Sequence, residues 1–245
     1  MAADAQMQAP RASAVAVVIP TLNEEDSIGA VVASLPRDIV AQVIVADGGS
    51  VDGTAERARQ AGAFVVAAGK GYGRACLMGA QAAETADIIV FIDGDGADDP
   101  AAIASIVAPI QAGERDFVIG SRARGRRELG SISAHQILAG QVAGWLIQLL
   151  YGVRYTDMCA FRAIRRDTLL ALGMRELTYG WNLEMQMRAA RAGLRVLEVP
   201  VAYRRRIGGE SKVAGSLRGT IVAGFRIITT FARIALEPMR KGAAR

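Results

Sequence analysis

The chain reads as an α/β protein built on a mostly parallel sheet, with helices covering both faces. Three observations predict this. Apolar, β-branched runs recur through residues 1–120 without polar alternation, the pattern of strands buried on both faces. Segments with apolar residues at helical spacing separate the runs. Turns rich in glycine or acids follow the runs, where sheets of this class bind ligands beyond the carboxyl ends of their strands.

Residues 15–20 (VAVVIP) are expected as the first buried strand. Residues 24–35 (EEDSIGAVVASL) follow as a helix with acids in its first turn, where they favour the helix dipole. A second strand at 42–47 (QVIVAD) leads to a helix at 52–62 closed by glycine, with Ser50 and Asp52 as candidate caps. A third strand at 63–68, a helix at 72–85 and a fourth strand at 87–93 repeat the unit. Asp99 and Pro100 start a helix at 100–113, since proline suits the first helical turn, and a fifth strand spans 116–121. Beyond it come a basic loop at 122–129, a helix at 134–151, a short FRAI run at 161–164, a helix at 181–193 and a strand at 195–201. No linker or internal repeat interrupts this order. One continuous domain is therefore expected over 14–215, with a first half at 14–120 and a second at 121–215. Residues 1–13 lack the basic start and apolar centre of a signal peptide and are expected as a disordered tail.

The 245 residues are 51% hydrophobic and 22% charged, the composition of a folded globular protein. Two cysteines, Cys76 and Cys159, argue against a disulfide framework and for a reducing, cytoplasmic compartment. Residues 1–120 carry 7 Lys+Arg against 16 Asp+Glu, net −9, while residues 121–245 carry 22 against 8, net +14. The basic half lacks aromatic residues interleaved with its arginines and any nucleic-acid motif, so phosphates on a small molecule or lipid suit it better than nucleic acid. No run of apolar residues is long enough to span a bilayer. Within 216–245, a helix at 220–236 sets Arg226 and Arg233 on one face. It either packs on the core or lies at a membrane surface with its arginines toward headgroups.

FIDGDGADDP (91–100) places Asp93 and Asp95 at the end of a buried strand. Alternation points both carboxylates the same way, ready to share a hard cation such as Mg²⁺ or Mn²⁺. The competing reading is turn chemistry, which Asp and Gly also serve. PTLNEE (20–25) follows strand one, ADGGSVDGT (46–54) follows strand two, and GKGYGR (69–74) is a glycine-rich turn whose spacing is neither that of a P-loop nor of a dinucleotide fingerprint.

In this order and spacing, VVIPTLNEE, ADGGSVDGT, GYGRA and the D-x-D closely resemble the family 2 glycosyltransferases of GT-A fold, and among them the dolichyl- or polyprenyl-phosphate sugar transferases. FVIGSR (117–122), FRAIRR (161–166), YGWNLEMQ (179–186) and R-x-x-G-x-S-K at Arg206, Gly209, Ser211 and Lys212 extend the likeness over about 14–215. The resemblance implies inverting sugar transfer from a nucleotide-sugar donor to a polyprenyl phosphate, by a peripheral enzyme at the inner face of the cell membrane, and a homo-oligomer is compatible with it. It places the donor nucleotide on Pro20, Leu22, Asn23, Glu24, Asp47, Lys70, Gly73, Asp93 and Gly94, and the metal on Asp93 and Asp95. It gives acceptor phosphate contacts to Arg122, Arg206, Ser211 and Lys212, and names Asp95, Arg122, Arg206 and Glu184 as the catalytic set. The chain departs from the family at Gly48 (commonly a second Asp), at Ala97 (commonly Gln, with Asp98 as a substitute) and at Ile137, Gly140 and Gln141 (commonly Arg and Asn).

Glu184 is read as a general base for a hydroxyl acceptor or as an arginine partner. His135 is read as a surface residue, and Asp157 with Arg162 as a structural ion pair. Three rivals stand beside the lipid-phosphate enzyme. They are a family 2 transferase with a hydroxyl acceptor, a sugar-phosphate nucleotidyltransferase, and a non-catalytic nucleotide-binding protein. PTLNEE has the wrong chemistry for the second, and an intact D-x-D argues against the third.

Overall fold

A computed structural model describes residues 13–208 and 217–238, with the side chains at 135, 217–224 and 226 outside that description. The expectations for residues 1–12, Gly209, Ser211, Lys212 and the His135 and Arg226 side chains therefore fall outside the described part.

Seven strands form one sheet in the order β3-β2-β1-β4-β6-β5-β7. β1 (Val15–Thr21) is wholly buried and pairs in parallel with β2 (Val40–Asp47) and β4 (Ile88–Phe91). β3 (Phe64–Ala67) extends β2 in parallel. β5 (Phe117–Ser121) pairs in parallel with β7 (Val196–Pro200). Between the two parallel sets lies β6 (Arg162–Arg165), antiparallel to both β4 and β5. The FRAI run is thus an inner strand that joins the two halves of the chain in one sheet.

The helices are α1 (Ile28–Ala33), α2 (Thr54–Gln60), α3 (Tyr72–Ala82), α4 (Ile103–Gln111), α5 (Ala134–Tyr151), α6 (Arg166–Ala171), α7 (Trp181–Arg191) and α8 (Leu217–Leu236). α1 begins later than its periodicity predicts. Glu24 to Ser27 form a turn in which the Glu24 carbonyl accepts from Ser27 and Ile28 N–H at 3.1 and 2.9 Å. The acids therefore precede the helix instead of occupying its first turn. α6 directly follows β6 and was not foreseen.

α8 packs against α7, burying Thr230 and Ile234. Arg233 turns inward to Glu184, at 3.1 Å, and not outward to headgroups, which at that residue favours the core-packed reading of the helix over the membrane-surface one. Among the described residues no helix is long and apolar enough to cross a membrane.

Candidate active site

The carboxyl ends of β1, β2 and β4 open on one rim, and the loops after them are laced together. Asn23 adopts a left-handed conformation (φ 52°), and its side-chain oxygen accepts from Val51 N–H at 3.0 Å. Asn23 N–H in turn donates to Ser50 Oγ at 2.9 Å. Ser50 N–H donates to the Asp47 carboxylate at 3.2 and 3.1 Å, so Ser50 orients Asp47 instead of capping a helix. Asp52 accepts from Thr54 N–H at 3.0 Å, while Thr54 Oγ1 accepts from Glu24 N–H at 2.8 Å. Gly48 lies against β1, where a Cβ would stand 3.1 Å from the Thr21 carbonyl oxygen. A side chain at that position, where a second carboxylate is common, would crowd β1 by a few tenths of an ångström.

The glycine-rich turn has a second explanation. Cβ atoms on Gly71 and Gly73 would lie 2.4 Å from the Leu177 carbonyl oxygen and 2.3 Å from that of Glu176. Both glycines let the 176–177 backbone lie on the start of α3, fixed by Arg74 N–H donating to the Leu177 carbonyl at 3.0 Å. Lys70 stays exposed beside them.

The D-x-D turn is strapped down by the chain after β7. Ile207 N–H donates to the Asp95 carbonyl at 3.0 Å and Arg204 N–H to the Ala97 carbonyl at 2.8 Å. Gly96 has φ 76°, the left-handed region that favours glycine, and a Cβ there would also displace the Ile207 side chain, 2.5 Å away. On the other side Ser27 Oγ donates to the Gly94 carbonyl at 2.7 Å. Asp99 accepts from Ala101 N–H at 3.3 Å and caps the short 3₁₀ turn that opens α4, as its sequence position predicts.

Besides Asp99, three carboxylates lie in this turn, two of them nearly inaccessible: Asp95 is 2% and Asp98 3% exposed. Asp95 Oδ1 accepts from Ala97 N–H at 2.9 Å, whereas Oδ2 faces Arg206 Nη2 at 3.0 Å as a charge contact without hydrogen-bond alignment. Asp98 Oδ2 accepts from Asp93 N–H at 3.3 Å, and its buried Oδ1 has no donor. Burial and the neighbouring Asp95 charge push Asp93 up to about 6, against the pull of Arg122 and Arg206. Burial, then the charges of Asp93 and Asp95, hold Asp98 well above the usual carboxylate range. Tyr72 O–H donates to Asp93 Oδ1 at 3.3 Å and also meets the Asn182 side chain.

These orphaned, mutually repelling oxygens fit a hard cation. Among the described residues no three His, Cys, Asp or Glu side chains converge on one point. The arrangement therefore matches an ion held by one or two carboxylates that leaves positions for substrate phosphate and water.

The second half brings up cations. Arg122 Nε and Nη2 donate to the two oxygens of Asp157 at 2.9 and 2.8 Å, and its guanidinium lies 5.0 Å from the Tyr203 ring centre. The expected Asp157–Arg162 pair is thereby corrected. Asp157 belongs to Arg122, and Arg162, fully buried, donates to the Cys159 and Asn182 carbonyls and lies over Phe117. Proximity along the chain, five residues, does not distinguish these two unlike sites.

Glu184 is completely buried. It accepts from Arg175 and Glu176 N–H at 2.9 and 2.6 Å, from Arg188 at 2.9 Å and from Arg233 at 3.1 Å. That occupancy corrects the general-base reading, because a carboxylate enclosed by four donors has no free edge for a hydroxyl proton. Tyr72, Asn182 and Tyr203 adjoin the site without having been singled out. Tyr72 and Asn182 fall inside two of the matching motifs, GYGRA and YGWNLEMQ, whereas Tyr203 had no signal beyond its place ahead of the three arginines.

The glycosyl transferase family 2 model matches residues 16–173. An uncharacterized glycosyltransferase of Mycobacterium tuberculosis is 39% identical over 86% of this chain and 94% of its own length. An undecaprenyl-phosphate mannosyltransferase of Micrococcus luteus is 30% identical over 85% of this chain and 90% of its own. Among solved structures, M. tuberculosis glucosyl-3-phosphoglycerate synthase in complex with Mn²⁺, UDP-glucose and phosphoglyceric acid superposes with a TM-score of 0.73 at 25% identity. It covers 92% of this chain and 81% of that one. The sheet, its rim of loops and these likenesses agree on the GT-A fold, and the chain belongs to glycosyl transferase family 2.

Proposed function

We propose that the chain moves a sugar from a UDP- or GDP-linked donor to the phosphate of a polyprenyl lipid. The observation that carries the acceptor is the state of four carboxylates of the second half. Among the described residues, Asp157 and Glu184 are clasped as above. Glu198 accepts from Thr156 N–H and Oγ1 at 2.8 Å each. Glu176 accepts from Thr178 N–H at 2.9 Å and Thr230 Oγ1 at 3.0 Å. A hydroxyl acceptor needs a base to take its proton, whereas a phosphate is already an anion at neutral pH. Its oxygen forms the new bond to the anomeric carbon as the bond to the donor diphosphate breaks, with inversion.

On this reading Pro20, Leu22, Asn23, Glu24 and Asp47 hold the nucleoside, with Lys70, Gly73 and Gly94 along the donor's path. Asp93 and Asp95 would hold Mg²⁺ or Mn²⁺, which supplies positive charge to the departing diphosphate. The Asp157 contact uses Nε and Nη2 of Arg122 and leaves its Nη1 edge for phosphate. Arg206, 3.0 Å from Asp95, adds positive charge beside the D-x-D, and Ser211 and Lys212, outside the described residues, are proposed as further phosphate contacts.

A second reading, a phosphate-bearing acceptor that reacts through a hydroxyl, has the stronger backing from the solved neighbours, since the synthase binds phosphoglyceric acid. The test incubates the protein and Mn²⁺ or Mg²⁺ with labelled nucleotide sugars, offering polyprenyl phosphate in one arm and phosphoglycerate-type acceptors in the other. Label in an organic-extractable product supports the first reading. Label only in a water-soluble phosphorylated glycoside replaces it with the second.

A further inference from the structure

We propose that α5 is the face by which the protein lies on an anionic bilayer surface. α5 has no Lys, Arg, Asp or Glu in its 18 residues. Its inner side is small, with Gly140, Ala143, Gly144 and Ile147 buried. Its outer side exposes Leu138, Val142, Trp145 and Leu149 at 61%, 48%, 61% and 70%, spaced four, three and four residues apart on one helical stripe. The outer side carries uncharged polar residues as well, Gln141 and Gln148, but no charge, and its apolar stripe has no core to cover it among the described residues.

The surroundings select the occupant. Arg154 is exposed beside the stripe and lines a groove of about 420 Å³ with Leu138, Val142, Trp145 and Tyr155. At the other end the loop before α5 exposes Arg124, Arg126 and Arg127 next to Leu129, itself 88% exposed. Cations rimming an apolar, tryptophan-bearing stripe match an anionic interface, where rings sit at headgroup depth and arginines reach phosphates. A second copy fits worse. A two-fold contact over this face would set the arginines of one +14 half against those of the other. The same loop begins with Arg122, so docking through α5 brings the acceptor side of the site to the lipid. The inference deepens the lipid-phosphate reading and rests on it for the identity of the surface.

Trp145 makes the test direct. The chain has two tryptophans, and the other, Trp181, is fully buried against Phe91. Full-length protein is mixed with phosphatidylcholine vesicles, with and without phosphatidylglycerol and free of polyprenyl phosphate, carrying brominated acyl chains. The expected result is quenching of Trp145 by the anionic vesicles. Co-sedimentation should fall roughly tenfold or more in Leu149→Glu, and Arg154→Glu should weaken binding in the anionic arm. Circular dichroism of each variant should match wild type, with transfer to a water-soluble short-chain isoprenyl phosphate retained by Leu149→Glu. No quenching, or vesicle binding untouched by Leu149→Glu but lost in Ile228→Glu on α8, overturns the inference. So does a wild-type dimer in sedimentation equilibrium that Leu149→Glu dissociates. Vesicle binding without transfer to any lipid phosphate would sink the acceptor reading and leave α5 as a docking face.

Discussion

Arg206 Nη2 stands 3.0 Å from Asp95 Oδ2, and that guanidinium is the cation the D-x-D turn meets first. The contact offsets charge without an aligned hydrogen bond, so Asp95 remains available to a stronger cation. Asp95→Asn keeps the shape and the Oδ1 contact with Ala97 N–H but removes the charge. Sugar transfer should fall at least about a hundredfold, while the far-ultraviolet circular dichroism spectrum and the melting temperature stay close to wild type. Wild-type turnover in Asp95→Asn would remove this carboxylate from the reaction.

The Arg122–Asp157 clasp is mostly shielded from water, with side-chain exposures of 17% and 6%. Asp157→Ala leaves a largely buried guanidinium without its partner and should cost about 3–5 kcal/mol in urea unfolding. The pH dependence has a definite sign. Burial works to raise the Asp157 pKa, but the hydrogen bonds and charge of Arg122 outweigh it and hold the carboxyl below its usual range. A carboxyl depressed on folding stabilises the protein above its unfolded value and loses that contribution as pH falls through the folded one. Wild type should therefore lose stability between neutral and acid pH more steeply than Asp157→Ala. Parallel unfolding curves across that range would contradict it.

The parallel half of the sheet and its rim were legible because buried strands and turn residues are local signals. What escaped was long-range. β6 is four residues with a fully buried arginine, and its hydrogen bonds go to strands from two distant parts of the chain. Nothing within FRAI distinguishes an inner antiparallel strand from a loop. The partner of Asp157 is 35 residues away at Arg122, while a nearer arginine looked equally suitable. Glu184 looked like a base because two of its donors are backbone N–H groups and a third arrives from 49 residues further on. The D-x-D turn was legible as chemistry, but the strap from residues 204–207 that buries it was not.

Glu184 offers a clean separation of structural from catalytic roles. Burial raises its pKa, yet the N–H groups of Glu176 and Arg175 and the Arg188 guanidinium together hold it below the ordinary value. Glu184→Gln removes the charge that Arg188 and Arg233 face and should cost about 2–4 kcal/mol. Turnover per folded molecule should change less than about threefold, against the 10²–10⁴-fold loss typical of a missing general base. Stability from denaturant titration and turnover measured well below the melting temperature separate the two. A large fall in turnover with unchanged stability would restore the base.

Two glycines in α5 should respond in opposite directions. A Cβ on Gly140 would make ordinary contacts of 3.6 Å with Asp157 Cα and Met158 N, whereas one on Gly144 would lie 1.9 Å from the Tyr155 carbonyl oxygen. Gly140→Ala gains helix propensity of about 0.5–1 kcal/mol, so its melting temperature should rise by roughly 1–4 °C. Gly144→Ala gains the same propensity but must push α5 off the 155–157 backbone, an overpacking cost of about 1–3 kcal/mol or more. That backbone presents Asp157 to Arg122, so displacing α5 also loosens the clasp beside the site. Gly144→Ala should therefore melt lower than wild type and lose transfer activity, while Gly140→Ala keeps it. Equal melting temperatures for the two variants would mean that α5 does not sit on Tyr155 as described.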